Sequence, residues 1–139
     1  MTSEPISRSM NEIELVRRLS REFPVNRDVP VGAGADCAVL DLCNSDFDLL
    51  FKTDAVVEGV HFESGADAEK VGHKAMARVL SDIAAMGGVP SSAVVTLAMP
   101  ENLDVDYVDG LYRGMIRLAK TYEVAIVGGE TTLNPHGLL

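Results

Sequence analysis

Four acidic residues lie where a carboxylate has a special reason to be. Asp82 is the one charged residue in residues 80–88, a stretch otherwise made of small and apolar side chains. Asp36, Asp54 and Glu130 each come at an expected turn or strand end, close to Gly or Thr. A carboxylate in apolar surroundings needs a partner, a metal or water. Because Mg²⁺ prefers oxygen ligands, commonly carboxylates together with phosphates and waters, the four residues predict a magnesium site.

Each of these acidic residues also has a plainer interpretation, because ligands on strand ends and helices need no fixed spacing. Asp82 lies four residues after Arg78, the distance of a helical ion pair. Asp36 is placed to close an Asx turn, and Asp54 to cap a strand end. The two glycines before Glu130 either expose N–H groups to a phosphate or make a tight turn. From the residues alone, both interpretations stay open.

Motifs for covalent catalysis and for the common nucleotide folds are missing from the sequence. It contains no phosphate loop ending in Gly-Lys-Ser/Thr, no His-Glu-x-x-His and no Gly-x-Ser-x-Gly. The glycines of residues 32–36 precede an expected strand instead of following one, which disfavours a dinucleotide fingerprint. None of the three histidines is paired with a nucleophile, and His61 by itself is typical of a partly buried neutral histidine.

Composition limits the class of protein. Of 139 residues, 47% are hydrophobic and 24% charged, which is typical of a soluble globular protein. The net charge of −9 disfavours nucleic acid as a partner. No apolar run approaches the roughly 18 residues of a membrane span, and the first residues do not resemble a signal peptide. We expect a cytoplasmic protein in which Cys37 and Cys43 are reduced.

Hydrophobic periodicity predicts alternating strands and helices. A capping box at Ser9 and Glu12 begins a first helix that ends at Pro24. Longer helices are expected from about Asp67 to the glycines at 87 and 88, and after Asp104, where Gly110 and Gly114 mark a face for close backbone approach. Strands are expected at residues 37–41, 48–53, 92–99 and 124–127, the third covered on both faces and the fourth buried. The prediction is an α/β (α+β) domain: a mixed sheet with two long flanking helices.

Five short segments together resemble a known family. In chain order they are residues 34–38, 53–54, 58–62, 80–88 and 128–132. They resemble the N-terminal domain of thiamine-monophosphate kinases, in the superfamily that also contains aminoimidazole ribonucleotide synthetases and selenophosphate synthetases. The resemblance runs from about residue 10 to the C-terminus. Glu-Gly-Val-His-Phe and Gly-Gly-acid-Thr-Thr favour the thiamine branch over its relatives.

The resemblance implies a kinase that phosphorylates thiamine monophosphate to thiamine diphosphate, with ATP as co-substrate and Mg²⁺ as cofactor. It further implies a homodimer formed through the β-sheets, and an ATP- and Mg-binding domain at residues 10–139 after a flexible tail at 1–9. The site residues that it implies fall into three groups. The metal ligands are Asp36, Asp54, Asp82 and Glu130, with Thr53 beside the metals; His61 contacts the thiamine phosphate; Gly129 and Glu130 contact the nucleotide.

Several positions depart from the family pattern. Ala35 replaces the first of two aspartates, Glu130 replaces an aspartate, and Leu133-Asn134 replaces Arg-Gly. Family members are longer and carry a second domain, so we expect this chain to be a fragment that corresponds to their first domain. Two alternatives therefore stay open: a sibling ATP-using synthetase, and a non-catalytic fragment that dimerises or binds nucleotide.

Overall fold

The computed structural model describes residues 12–24, 26–42 and 46–139. The chain divides into two units between Lys52 and Thr53. The expected tail at 1–9, the capping residue Ser9 and Cys43 lie outside the described residues. The expected division into that tail and a single domain at 10–139 stays a prediction.

In its described residues, the first unit contains one helix and one antiparallel pair of strands. Helix α1 spans Glu12–Ser20, and strands β1 (Ala38–Asp41) and β2 (Asp48–Phe51) pair antiparallel with Val39 opposite Leu50. The expected helix and both strands are confirmed, although the helix ends at Ser20, before Pro24, and β2 ends two residues earlier than residue 53. The apolar face of α1 is exposed in this structure, with Ile13 64% accessible.

The second unit is built on the long helix α2, Ala68–Ala85. It begins where expected, because the Asp67 carboxylate accepts a hydrogen bond from the backbone N–H of Lys70 at 3.0 Å. It ends where expected, because Gly87 adopts a φ of +71° and the Gly88 N–H returns to the carbonyl of Ile83. These two caps fix the length of the helix that carries Asp82.

Helix α3, Val105–Thr121, packs against α2 at unusually short range. A Cβ on Gly114 would overlap the backbone carbonyl of Glu69, and one on Gly72 would overlap that of Leu111. A Cβ on Gly110 would lie 2.6 Å from the Cβ of Ala68. The expected close approach at Gly110 and Gly114 is confirmed, with Gly72 as its counterpart on α2.

Strands β3 (Ser92–Met99) and β4 (Ala125–Leu133) pair in parallel beside these helices. The α+β class and the two long helices are confirmed; within the described residues, the parallel and antiparallel pairs form two separate two-stranded sheets. The apolar side chains of the second unit form one core around both helices and β3: Val71, Met76, Leu97, Leu111, Met115, Ala119, Val124 and Leu138.

Two expectations about these strands are wrong. β3 is not covered on both faces: Leu97 is buried, but Val94 is 70% exposed, because only one face packs into the core. β4 is neither short nor buried. It continues to Leu133, so Gly128 to Thr132 lie inside the strand, and Val127 is 63% exposed.

The last two residues lie against β3 and complete the core. Leu138 is buried, and Leu139 exchanges two backbone hydrogen bonds of 2.8 Å with Ala98. This reciprocal pairing is what an antiparallel strand makes. These bonds hold Leu139 against β3.

Replacing Gly114 by Ala tests the helix contact. Helix propensity alone would stabilise the protein by about 1 kcal/mol. The new Cβ, however, meets the Glu69 backbone, and overpacking of this kind costs about 1–3 kcal/mol or more. We therefore expect Gly114→Ala to lower the free energy of unfolding, measured by urea denaturation. Gly32→Ala, whose Cβ meets only Val29 at 3.9 Å, is the control, and a stabilised Gly114→Ala would contradict the packing.

Candidate functional site

Asp54 and Asp82 act on the same guanidinium group. Arg78 on α2 binds Asp54 through two hydrogen bonds, Nε to Oδ2 and Nη2 to Oδ1, both 3.0 Å. The pKa of Arg78 is raised by the hydrogen bonds and charge of Asp54, and the charge of Asp82 adds to the effect. Two of the predicted metal ligands are thus brought to one cation.

The plainer interpretation of Asp82, an attraction to Arg78 one turn earlier, is supported, but Asp82 is not the residue that the guanidinium fork binds. The fork of Arg78 binds Asp54, 24 residues away in the chain, whereas Asp82 contributes through its charge. Local spacing favoured Asp82 because i and i+4 side chains are neighbours on a helix. A bidentate pair holds a carboxylate better than a point contact does, and Asp54 lies where both of its oxygens reach the fork.

The Asp54 carboxylate is also tied to its own backbone. Oδ1 accepts a hydrogen bond of 2.9 Å from the N–H of Ala55. This bond does not cap a strand end, because β2 ends at Phe51, three residues before Asp54. It is compatible with a ligand role. Thr53, the residue expected beside the metals, directly precedes it and is exposed.

The pair Asp54 and Asp82 suits a hard cation. Carboxylate oxygens are the ligands that Mg²⁺ prefers, and the two side chains already share the attraction of one positive charge. Within the described residues, no three His, Cys, Asp or Glu side chains form a group able to hold a metal ion. The set of four ligands stays a prediction. Asp36 lies exposed in the first unit, while the other three belong to the second.

A β-bulge decides which face of the sheet carries Glu130. Ala93 lies opposite Ile126, but Val94 lies opposite Gly128, so Val127 is an extra residue. Beyond the bulge, Glu130 lies opposite Thr96, and both side chains are exposed. Without the extra residue, Glu130 would lie opposite Leu97, a core residue.

Gly129 and Glu130 have clear local roles in β4. A Cβ on Gly129 would overlap the backbone carbonyl of Val95, so this position needs glycine for strand pairing. The Glu130 carboxylate accepts a hydrogen bond of 3.0 Å from the N–H of Thr131. The tight turn considered for these residues is wrong, because they continue a strand. Their predicted nucleotide contacts stay a prediction.

His61 is held in one orientation by its own loop. Its Nδ1 accepts a hydrogen bond of 3.0 Å from the Val57 N–H, and its carbonyl accepts one from the Lys74 ammonium. A neutral ring that accepts at Nδ1 carries its hydrogen on Nε2. The half-buried imidazole therefore has an Nε2–H that can donate to an anion.

Glu58 anchors this loop, a role that sequence reasoning missed. Its Oε2 accepts a hydrogen bond of 3.0 Å from the Leu138 N–H, and its own N–H donates to the Leu138 carbonyl at 2.9 Å. Hydrogen bonds from Ser64 and from the Leu138 backbone lower the pKa of Glu58. The two partners Glu58 and Leu138 are 80 residues apart, so no local signal points to this contact.

A family comparison accounts for this arrangement of motifs. Residues 34–138 match the family described as AIR synthase related protein, N-terminal domain. This chain belongs to that family. The match includes Asp36, Asp54, Asp82 and Glu130.

Sequence and structure comparisons both point to thiamine-monophosphate kinases as relatives of this AIR synthase related domain. This chain is 42% identical over 122 residues to the thiamine-monophosphate kinase of Rhodopirellula baltica. It is 35% identical over 123 residues to the enzyme of the same name from Bacillus subtilis. These alignments cover 83% and 88% of this chain and 38% of each relative. The chain therefore spans about two-fifths of the length of these relatives.

Solved structures share the fold. The structure described as AaThiL complexed with AMPPCP and TMP superimposes with a TM-score of 0.83 at 31% identity, covering 99% of this chain and 41% of that one. The structure of thiamine monophosphate kinase from Aquifex aeolicus superimposes with a TM-score of 0.68 at 30% identity, and the match covers 91% of this chain and 38% of that one. The expected resemblance is confirmed. In the described ranges, none of the helices combines the length and apolarity needed to cross a bilayer.

The lowered pKa of Glu58 predicts a pH dependence. The carboxylate form stabilises the fold above the usual carboxyl range near 4.3, and this contribution is lost as the pH falls through the lowered pKa. We expect Glu58→Gln to be about 1 kcal/mol less stable than the wild type at neutral pH, with the difference vanishing in acid. Urea unfolding across pH measures it. Glu63→Gln, in the same loop, is the control, and a difference that grows in acid would contradict the assignment.

Proposed function

We propose that this chain is the ATP- and Mg²⁺-binding part of a thiamine-monophosphate kinase, which transfers the γ-phosphoryl group of ATP to thiamine monophosphate. Its relatives carry that name, and AaThiL, described with AMPPCP and TMP, is similar over nearly the whole chain. AMPPCP is an analogue of ATP. The cytoplasmic location expected from the sequence stays a prediction.

The observation that carries the proposal is the convergence of Asp54 and Asp82 on one cation. Both belong to segments shared with thiamine-monophosphate kinases. When bound there, Mg²⁺ would neutralise charge on the phosphates of ATP. Asp36 and Glu130 are the proposed additional ligands, and Thr53 lies next to Asp54.

The proposed reaction is an in-line phosphoryl transfer without a covalent enzyme intermediate. A phosphate oxygen of thiamine monophosphate forms a bond to the γ-phosphorus, and the bond from that phosphorus to the oxygen bridging to ADP breaks. The attacking phosphate is already largely ionised at neutral pH, so no protein base has to remove a proton. The products are thiamine diphosphate and ADP.

His61 and the strand β4 are proposed to bind the two substrates. The fixed Nε2–H of His61 is suited to donate to the phosphate of thiamine monophosphate. Gly129 and Glu130 are the proposed nucleotide contacts, and of the two Glu130 lies on the face of β4 that the bulge turns away from the core. These roles require only binding and orientation from the protein.

A homodimer through the open sheet face is part of the proposal. On this face Val94 and, at the bulge, Val127 are 70% and 63% exposed. Exposed apolar side chains on one sheet face are typical of an interaction surface. A second copy of the same face would bury them.

Asp82→Asn tests the metal site. The amide keeps the size of the side chain but removes a negative ligand, so we expect affinity for AMPPCP in the presence of Mg²⁺ to fall at least about tenfold. Isothermal titration of this chain with and without Mg²⁺ measures the change. Asp109→Asn, an exposed aspartate on α3, is the matched control, and unchanged binding by Asp82→Asn would contradict the assignment.

The short chain keeps one alternative open, a domain that binds nucleotide without turnover. Mg²⁺-dependent AMPPCP binding with no thiamine diphosphate formed from ATP and thiamine monophosphate would favour it. Formation of thiamine diphosphate would favour the kinase over both this alternative and a sibling synthetase.

Val94→Glu tests the dimer. A charge in the centre of an apolar contact costs several kcal/mol when buried, so we expect the variant to sediment as a monomer where the wild type sediments as a dimer. Val105→Glu changes a valine that is equally exposed, at 72%, but lies at the start of α3. A monomeric wild type, or a dimeric Val94→Glu variant, would contradict the proposal.

A further inference from the structure

The hydrogen bonds of Asp54 leave little room for a metal ion on its carboxylate. Oδ1 accepts from the Arg78 Nη2 at 3.0 Å and from the Ala55 N–H at 2.9 Å, while Oδ2 accepts from the Arg78 Nε at 3.0 Å. A carboxylate offers about four acceptor positions. At least three of them are therefore in use, two by the same guanidinium.

Arg78 also places a positive charge where a divalent cation would bind. Its guanidinium is attracted by both Asp54 and Asp82, the two proposed ligands that this unit brings to one cation. Two cations cannot share these carboxylates without repulsion. Mg²⁺, which demands nearly octahedral geometry, also needs an oxygen lone pair in the right direction.

The guanidinium has a route away from Asp54. The side chain of Arg78 is 38% exposed, whereas that of Asp54 is 19% exposed. A long arginine side chain on the surface of a helix can move its charged end into water at little cost. The short Asp54 side chain, tied to Ala55, cannot move in the same way.

We propose that Arg78 is a placeholder for the metal: it holds Asp54 in the metal-free chain and must leave that carboxylate when Mg²⁺ binds. This proposal rests on the proposed function, because it takes Asp54 as a metal ligand. Arg78 is thus a positioning residue that keeps the Asp54 carboxylate in place and lowers its affinity for the metal.

The test is metal binding by this chain, with Mn²⁺ as a paramagnetic substitute for Mg²⁺ and free Mn²⁺ counted by electron paramagnetic resonance. Arg78→Gln removes an ion pair that competes with the metal. We therefore expect the Kd of this variant for Mn²⁺ to be about fivefold lower than that of the wild type. Arg78→Lys keeps the charge but loses the two-pronged contact, so its Kd should lie between the two. Circular dichroism checks that each variant is folded.

Arg113→Gln is the matched control. Arg113 also donates through Nε to a carboxylate, that of Glu69, at 3.0 Å, and the substitution removes the same charge from the same unit. We expect its Mn²⁺ affinity to equal that of the wild type. An equal gain in Arg113→Gln would mean that net charge alone is responsible, and would overturn the proposal.

Asp54→Asn, made alone and together with Arg78→Gln, separates this proposal from the function it rests on. The gain from Arg78→Gln should disappear when Asp54 is Asn, because the two residues act through one contact. If Asp54→Asn weakens Mn²⁺ binding but Arg78→Gln leaves it unchanged or weaker, the proposed role of Arg78 is wrong, whereas Asp54 is supported as a metal ligand. If Asp54→Asn and Asp82→Asn both leave Mn²⁺ affinity unchanged, the proposed metal site is itself wrong.

Discussion

The glycine contact between α2 and α3 is the constraint on which the second unit depends. At Gly72, Gly110 and Gly114, the two helices approach until no Cβ fits between them. Close backbone approach leaves each helix little freedom to rotate or slide, because interiors are packed at crystal-like density. α2 carries Lys74, Arg78 and Asp82 along its length, so this contact also fixes the position of the charged side chains.

The fixed position of α2 determines which carboxylates attract Arg78. Arg78 meets a carboxylate from a distant part of the chain and is also attracted by one on its own helix. In a chain with a net charge of −9, a cation between two carboxylates relieves their mutual repulsion. A divalent cation also binds where two carboxylates attract one positive charge. The carboxylates that Arg78 neutralises in the metal-free chain are therefore the same ones that are proposed to bind Mg²⁺.

The loop that carries His61 is fixed from two sides. Val57 and Lys74 bind the histidine itself, while Glu58 binds Leu138, a member of the core. The imidazole itself is oriented by a backbone donor, the Val57 N–H, while the side chains of Lys74 and Glu58 hold the surrounding backbone. Such a ring is preorganised, and a preorganised donor loses little freedom when an anion binds.

The sequence by itself determined the two long helices, both ends of α2 and the beginning of α3. Asp67 and Asp104 cap α2 and α3, the glycines at 87 and 88 end α2, and the four-residue spacing of Gly110 and Gly114 marks the packed face of α3. These features depend on residues within a few positions of one another. Local propensity and periodicity therefore suffice to predict them.

Only the tertiary structure decided the partner of Arg78, the face that carries Glu130 and the exposure of β3. The first is a contact across 24 residues that competes with a local one. The second depends on a single extra residue, Val127, which reverses the alternation of every later side chain in β4. The third depends on what covers a sheet, and an apolar strand such as β3 has the same sequence pattern whether one face or both are covered.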